Sequence, residues 1–420
     1  MTGSAARAAR LSPVAVVAFV MFTTTLASNA PSPLYVIWQQ RFGYSAATLT
    51  WIFAAYALGV IVALVAFGRL SDELGRRRIM LPSLVMLAVS AVLFASAADT
   101  GWLLVARAVQ GLATGTLTAA ATAALVELEP NGDRRRASFL NTLSFIAGAA
   151  GGPLIVGILA EYAPMPRVLP FLFELALIAA GWLLLRRVVP ETVVAVESFA
   201  WRLQRPSVPR SIRHPFAAAA LMLAVAWAVG ALYGSLSPSI DRDLLHVSNH
   251  AVAGLVLFVN AGIGGLAQIW LRLWPSRRTM VLGALGLCVG MVLVGWSLSA
   301  SSIGLFVGGT VLAGSGSGIA FMGSLQLLND VAPPRRRAEV VSAYNIVGYI
   351  ALSLPVIGVG TLAGHIGLQR ASDIFIVVVV AVSLVAVAMT LLLPRQVGAA
   401  PKDALLSVGL DPATRASGVD

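Results

Sequence analysis

Two charged residues stand out because each lies inside a long apolar stretch of the sequence. Arg107 lies within residues 102–127 and Glu174 within residues 168–187. Counted along a helix, each would lie about 8 to 9 Å from the same end of the molecule. An unpaired charge in such surroundings costs several kcal/mol, so we expect the two to interact, directly or through one polar neighbour. A paired Glu174 would serve structure, whereas an isolated one would be the best candidate for a proton carrier.

A second group of polar residues follows the second apolar stretch. Its members are Gly68, Asp72, Gly75, Arg76 and Arg77. Glycine permits a tight reversal, and an aspartate can accept backbone N–H groups at the start of a helix. Acidic partners are few nearby, so we expect Arg76 to pair with Glu127 or Glu129.

Two further patterns place small residues inside apolar stretches. Arg107 is followed three and four residues later by Gln110 and Gly111. The stretch 137–160 contains a glycine-rich segment with one proline; its residues are Gly148, Gly152, Pro153 and Gly157. Small residues let helices approach closely, and an internal proline kinks a helix, so this segment is typical of a helix interface that must move.

Other polar residues are scattered through the apolar stretches and are candidates for a solute pathway. They are Asn29, Tyr56, Asn141, Tyr233, Asn260, Gln326, Tyr344 and Asn345. Tyrosine and amide groups in a mainly apolar cavity suit neutral or amphipathic organic solutes. His246 and His250 have helical spacing, but no third metal ligand accompanies them. We therefore predict no metal site and expect both side chains to be solvated.

The composition shows what must position these residues. Of the 420 residues, 58% are hydrophobic and 11% are charged, against about 25% charged residues in a soluble domain. A soluble multidomain protein and a disordered chain are excluded, and a disulfide scaffold is excluded because Cys288 is the single cysteine. The chain is therefore predicted to be an all-α integral membrane protein without period-2 barrel patterning.

Twelve apolar stretches are long enough to cross a bilayer as helices. They cover residues 14–38, 46–67, 79–98, 102–127, 137–160, 168–187, 215–238, 250–271, 279–299, 302–329, 338–362 and 372–393. We number them spans 1 to 12. We interpret the first as an uncleaved span rather than a secretory signal. With both termini cytoplasmic, 24 of the 29 Lys and Arg residues lie inside and 4 outside, as the positive-inside rule requires.

The two halves of the sequence repeat each other. The segment Arg134–Arg136 recurs as Arg335–Arg337, about 200 residues later. Six spans plus six spans predicts two pseudo-symmetric six-helix bundles, as in secondary transporters. The predicted parts are a cytoplasmic N-terminus (1–13), a first bundle (14–187), a linker (188–214), a second bundle (215–393) and a cytoplasmic tail (394–420).

The residues Gly68, Asp72, Gly75, Arg76 and Arg77 resemble the loop 2–3 signature of the major facilitator superfamily, and the resemblance covers the whole twelve-span chain. It implies that Asp72 docks near the start of span 11 and latches the halves in an outward-facing state. It also implies a role for Arg107 in proton coupling. The segment Gly148–Gly157 resembles the motif of the drug:proton antiporter branch, although Val156 replaces one glycine.

These observations favour a proton-coupled exporter of small organic compounds that works by alternating access. An uptake permease or symporter for a metabolite is the first alternative, and a transporter-like receptor that moves nothing is the second. No phosphate-binding glycine loop is present, and no catalytic triad is supported, so we predict neither an ATP-driven pump nor an enzyme. We expect a monomer in the bacterial inner membrane that binds substrate, protons and lipid, with no cofactor and no nucleic acid.

Overall fold

A computed structural model describes residues 11–68, 70–193 and 206–394. Its helices are α1 (Pro13–Asn29), α2 (Tyr35–Phe42), α3 (Ala46–Phe67), α4 (Leu70–Leu74), α5 (Arg76–Ala95), α6 (Thr100–Glu127), α7 (Arg134–Tyr162), α8 (Leu169–Val188), α9 (Arg213–Asp243), α10 (His250–Leu271), α11 (Ser276–Ala300), α12 (Ile303–Val331), α13 (Arg337–Ile366) and α14 (Leu368–Leu392). The described residues form no strand. Most of the predicted N-terminal segment and tail, and linker positions 194–205, lie outside the described residues.

The twelve predicted spans are confirmed. The described part of the chain contains 12 helical segments that are long and apolar enough to cross a membrane. Eleven of the 12 consist mainly of one helix, and the first combines α1, a short 3₁₀ helix (Ser32–Leu34) and α2 within Pro13–Phe42. The all-α fold class therefore stands, and the spans alternate in direction along the chain.

The break in the first span has a local cause. Pro31 and Pro33 follow the last residue of α1, and each lacks the N–H that would continue the helix. The chain resumes as a helix at Tyr35, whose carbonyl oxygen accepts a hydrogen bond from the Tyr44 hydroxyl at 2.7 Å. Burial raises the pKa of the Tyr44 phenol, so this hydroxyl keeps its proton and the hydrogen bond that fixes this end of the span.

The apolar core differs between the two membrane faces. We call the side where α8 ends and α9 begins the linker face, and the other side the far face. Toward the far face, one cluster joins residues of both halves, among them Trp38, Phe171, Leu236 and Phe375. Toward the linker face, each half has its own separate cluster. The two halves are thus packed together at the far face and form separate cores at the linker face.

The glycines of α7 allow this helix to touch both halves. A Cβ on Gly148 would lie 2.1 Å from Thr25 Oγ1, and one on Gly152 would lie 2.5 Å from Leu26 O. Both contacts are to α1. Gly157 faces the other half, where a Cβ would lie 2.5 Å from His250 O. The predicted close packing at this segment is confirmed, and the helix continues without a break through Pro153.

We expect Gly148→Ala to lower the thermal unfolding temperature in detergent, because the added methyl group meets α1 at less than contact distance. The cost should be about 1 to 3 kcal/mol, as for other overpacked sites. Gly151→Ala is the matched control in the same helix, since its Cβ would meet nothing within 4 Å. That variant should be neutral or slightly stabilised. Equal unfolding temperatures for the two variants would contradict the close α1–α7 contact.

Candidate functional site

The centre of the first half is organised around one buried guanidinium. Arg107 on α6 is 1% exposed. Its Nε donates to Tyr35 Oη at 2.6 Å, and its Nη1 donates to Ser28 O at 2.8 Å and to Gln110 Oε1 at 2.6 Å. The rings of Tyr35, Phe53, Tyr56 and Phe94 lie 5.4 to 5.9 Å from its central carbon. The charge is thus held by acceptors and aromatic faces rather than by an acid.

The broken first span supplies acceptors for this network. Because Pro31 has no N–H, the carbonyl of Ala27 loses its partner four residues ahead. Gln110 Nε2 donates to that carbonyl at 2.9 Å, and the neighbouring Ser28 carbonyl is taken by Arg107. The next residue of the motif, Gly111, must be small, because a Cβ there would lie 2.1 Å from Tyr56 O. Arg107 and Gln110 therefore join α6 to the first span, and Gly111 lets α6 pack against α3.

The predicted pairing of Arg107 with Glu174 is wrong. Glu174 on α8 is fully buried, but neither carboxylate oxygen has a hydrogen-bond partner among the described residues, and the two side chains form no ion pair. The Arg107 charge attracts the carboxylate electrostatically without touching it. Nε and Nη1 of the guanidinium bind acceptors of α1, α2 and α6. Nη2 is buried and, among the described residues, has no hydrogen-bond partner.

A further buried acid lies beyond residue 238, where span 7 was predicted to end, because α9 continues to Asp243. Asp241 lies in the last turn of α9 and is 2% exposed. Ser237 Oγ donates to its Oδ2 at 3.4 Å, whereas the nearby Arg242 pairs with Asp243. The sequence did not reveal this site because Asp241, Arg242 and Asp243 together look like a solvated helix end.

At the linker face, the charged loop after α3 is bound to the end of α6. Arg76 Nη2 donates to Glu127 Oε1 at 2.9 Å, which confirms one of the two predicted acidic partners. Glu129 is used differently: its Oε2 accepts the N–H of Asp133 at 2.7 Å. Among the described residues, Asp72 pairs with Arg76, and α4 packs on α5 and α6. Docking of Asp72 on span 11 stays a prediction for the outward-facing state.

The linker also contacts this loop, which the sequence did not predict. Gly75 precedes α5 with a φ of 112° and has no side chain to cap the helix. Glu191 supplies the cap from a distance, since its carboxylate accepts the N–H of Arg77 at 3.3 Å and of Arg78 at 3.1 Å. Thr192 Oγ1 donates to Glu127 Oε2 at 2.5 Å. Only the fold brings residues this far apart in sequence together.

Some of the predicted pathway residues lie between the halves. Helix α3, which carries Tyr56, packs against α13 of the other half, which carries Tyr349. Tyr349 packs edge-on against Trp227 of α9, with ring centroids 4.8 Å apart. Trp227 and Tyr349 were missed because an aromatic residue in an apolar stretch looks like ordinary core. Here they are only partly buried, so they can offer aromatic surface to a solute.

The other pathway candidates fall into two groups. Several are held by hydrogen bonds. Asn29 binds Thr25 O of its own helix. The others bind neighbouring elements: Asn141 to Thr122, Tyr233 to Thr310, Gln326 to Arg272 O and Tyr344 to Ser324. Two are less constrained. Asn260 Nδ2 is buried without a hydrogen-bond partner, and Asn345 is partly buried. Tyr344 is fully buried, so it is more a packing residue than a solute contact.

At the far face, a histidine–glutamate contact joins the halves. His250 at the start of α10 interacts through Nδ1 with Glu161 Oε2 of α7 at 2.8 Å, and its backbone N–H donates to the same oxygen. The expectation that His250 is solvated is wrong, because its side chain is 24% exposed and paired. His246 lies before α10 with a φ of 56°, so the two histidines do not share a helix face.

The comparisons with known proteins agree on one family. The family model described as Major Facilitator Superfamily matches residues 17–356 and 266–409. The multidrug efflux pump LfrA of Mycolicibacterium smegmatis is 30% identical over 286 residues, which is 64% of this chain and 56% of that protein. The puromycin resistance protein pur8 of Streptomyces alboniger is 36% identical over 126 residues, covering 30% of this chain and 25% of that protein.

The sequence matches to these relatives cover only part of each protein, whereas the structural superpositions cover most of both chains. An MFS-type transporter of Mycobacterium tuberculosis is 34% identical over 113 residues, 27% of this chain and 16% of that protein. The chain thus spans between about a sixth and just over a half of these curated relatives. A bacterial homologue of the human lysosomal transporter Spinster superposes with a TM-score of 0.71 at 15% identity, covering 92% of this chain and 98% of that one. A POT family transporter gives a TM-score of 0.73 at 14% identity, covering 90% and 96%.

We expect Arg107→Lys to lower the thermal unfolding temperature markedly even though the positive charge is kept. A lysine ammonium lacks the planar fork that reaches Tyr35, Ser28 and Gln110 together. Losing charge-assisted hydrogen bonds at a buried site should cost about 2 kcal/mol or more. Arg370→Lys is the control, since Arg370 is exposed. Thermal unfolding in detergent measures both variants, and an unchanged Arg107→Lys would contradict the network.

Proposed function

The chain belongs to the Major Facilitator Superfamily, and we propose that it exports small organic compounds in exchange for protons by alternating access. Members of this family are membrane transporters and not enzymes. The direction of transport, the coupling ion and the substrate class are our proposal. The observation that carries it is the unequal packing of the halves, which share one core toward the far face and have separate cores toward the linker face.

Alternating access requires that one face can separate while the other stays packed. Near the far face, α7 meets α10 through glycines on both sides: a Cβ on Gly254 would lie 2.4 Å from Pro153 O. Near the linker face, the loop after α3 is bound to its own half through Arg76 and Glu127. This asymmetry supports a transporter that is closed toward the far face.

Export is supported by the relatives and by the chemistry between the halves. The multidrug efflux pump LfrA, the cephamycin export protein CmcT of Amycolatopsis lactamdurans and the puromycin resistance protein pur8 carry export or resistance in their names. The partly buried groups Tyr56, Trp227 and Tyr349 offer aromatic faces and hydroxyls. Such a surface suits amphipathic aromatic compounds more than small anions.

We place the linker face in the cytoplasm and the chain in the inner membrane, with both termini inside. Arginines concentrate at that face, as in Arg76–Arg78 and Arg134–Arg136. The two bundles (14–187 and 215–393) joined by the linker act as the moving bodies of a monomer.

Glu174 is the first candidate for the coupled proton. Its carboxylate is buried without a hydrogen-bond partner among the described residues, and a buried acid that no cation touches is free to bind a proton. Arg107 would then position the surrounding helices and modulate the acid through its charge rather than carry protons.

The export proposal is tested by loading cells with a panel of fluorescent amphipathic aromatic compounds, with and without the protein. Export predicts lower accumulation with the protein, and loss of that difference when the proton gradient is collapsed. Counterflow in vesicles with imposed pH gradients separates antiport from symport. Higher accumulation would favour the uptake alternative, and no movement of any compound would favour a non-transporting receptor.

We expect Asp72→Asn to reduce transport at least severalfold while membrane insertion stays normal. The substitution removes one carboxylate from Arg76, and with it the proposed docking at span 11 in the outward-facing state. The adjacent Glu73→Gln is the matched control and should transport normally. Efflux rate at equal membrane abundance is the measurement. Unchanged transport in Asp72→Asn would remove the gating role.

We expect Glu174→Gln to uncouple transport from the pH gradient, because the amide cannot bind and release a proton. In vesicles, substrate counterflow should persist while pH-driven accumulation is lost. Ser372→Ala serves as a control for an uncharged, buried polar group outside the first half. Coupled transport that survives in Glu174→Gln would exclude Glu174 as the proton site.

A further inference from the structure

A line of polar side chains runs along one face of α9 toward the far face. Tyr233, Ser237 and Asp241 are spaced by four residues, so they lie on the same side of the helix. Tyr233 Oη lies 2.9 Å from Thr310 Oγ1 of α12, and Ser237 Oγ donates to Asp241 at 3.4 Å. Hydroxyl groups therefore line this face of α9, from the interior of the second half to the buried carboxylate of Asp241.

Asp241 lies where the second half meets the first. The end of α9 packs against α2 and the short helix Ser32–Leu34. A narrow crevice here is lined by Pro33 and Val36 of the first half and by Pro238 and Arg242, which flank Asp241. Opening the far face must separate these elements and admit water to Asp241.

The charges around Asp241 leave it without a cation. The titratable groups near it on its own segment are Arg242, Asp243 and His246. Those at the far-face ends of other elements are Tyr35, Arg41, Tyr44, Asp99, Glu161, Tyr162, Arg167, His250, His365, Arg370 and Asp373. Among the described residues, none forms an ion pair with Asp241: Arg242 pairs with Asp243, and His250 with Glu161. An ionised Asp241 in the closed arrangement would have one long hydrogen bond and no counter-ion, which is costly.

We propose that Asp241 is a proton-binding site whose protonation closes the far face. In the open arrangement, water solvates the carboxylate and a proton enters from outside. Closure then buries Asp241 as the neutral acid. A group that binds its proton more tightly in one conformation shifts the equilibrium toward that conformation as pH falls. The proposal rests on proton antiport for its role in the cycle, since an outside proton would return the emptied exporter to the inward-facing state.

The test measures the opening of the far face directly, in the absence of substrate. Spin labels are placed on Ala98→Cys and Ala300→Cys, which are exposed at the far-face ends of the two halves, in a Cys288→Ser background. Distances between the labels are measured by pulsed electron paramagnetic resonance in lipid nanodiscs from pH 5 to pH 9. In the otherwise unchanged protein, the ratio of long to short distances should rise with pH, by at most about tenfold per pH unit for one proton.

Asp241→Asn should keep the short distance at every pH, with less than about twofold change in the ratio. Asp243→Asn is the matched control, because Asp243 is two residues away, side-chain exposed and paired with Arg242. It should keep the full pH dependence. Asp241→Glu should also keep a pH-dependent distance, which shows that the loss in Asp241→Asn is not misfolding.

Three results would overturn the proposal: no pH-dependent opening in the unchanged protein, an unaltered pH dependence in Asp241→Asn, or a pH dependence that is lost in Glu161→Gln but kept in Asp241→Asn. The last result would assign the effect to the Glu161–His250 pair. Because the labels report conformation without substrate, a pH-dependent far face in a protein that exports nothing would count against the proposed function alone.

Discussion

A guanidinium among membrane-spanning helices must take its acceptors from the protein, because the hydrocarbon region of a bilayer offers no water. Arg107 meets this requirement with the hydroxyl of Tyr35, the carbonyl of Ser28 and the amide of Gln110. The carbonyls that it and Gln110 bind belong to the end of α1, just before the prolines that break the first span. These contacts thus give acceptors to Nε and Nη1, pair the exposed carbonyls and join the first span to α6.

This arrangement leaves the acids of the interior without a cation. Glu174 and Asp241 are both buried, and neither forms an ion pair among the described residues. At the linker face, where water is available, Arg76 instead pairs with both Asp72 and Glu127. Charges near water stabilise fixed contacts here, whereas the buried acids are placed where a proton can neutralise them. That division fits a protein whose interior carries protons and whose surface holds a gate.

The unequal packing of the halves gives these groups a mechanical setting. Toward the far face, aromatic residues such as Trp38 and Phe171 belong to one core with residues of the second half. Where α7 meets α10 near the far face, a Cβ on Gly157 or Gly254 would lie within 2.5 Å of the opposite backbone, so the contact there is between backbones. At the linker face each half keeps its own core. The contact between the two halves at the far face therefore differs from the separate apolar core that each half keeps at the linker face.

The sequence by itself determined the number of spans, the all-α fold and the two-fold repeat, because hydrophobic length and charge distribution act locally along the chain. It also singled out Arg107 and the glycines of α7, and it limited the partner of Arg76 to Glu127 or Glu129. It could not determine which acids would be paired, since pairing depends on distances between helices far apart in sequence. Glu174 and Arg107 make no direct contact, Asp241 is buried where α9 meets the opposite half, and Glu191 caps α5. In each case the deciding contact is between separate helices or segments, and only the tertiary structure places them together.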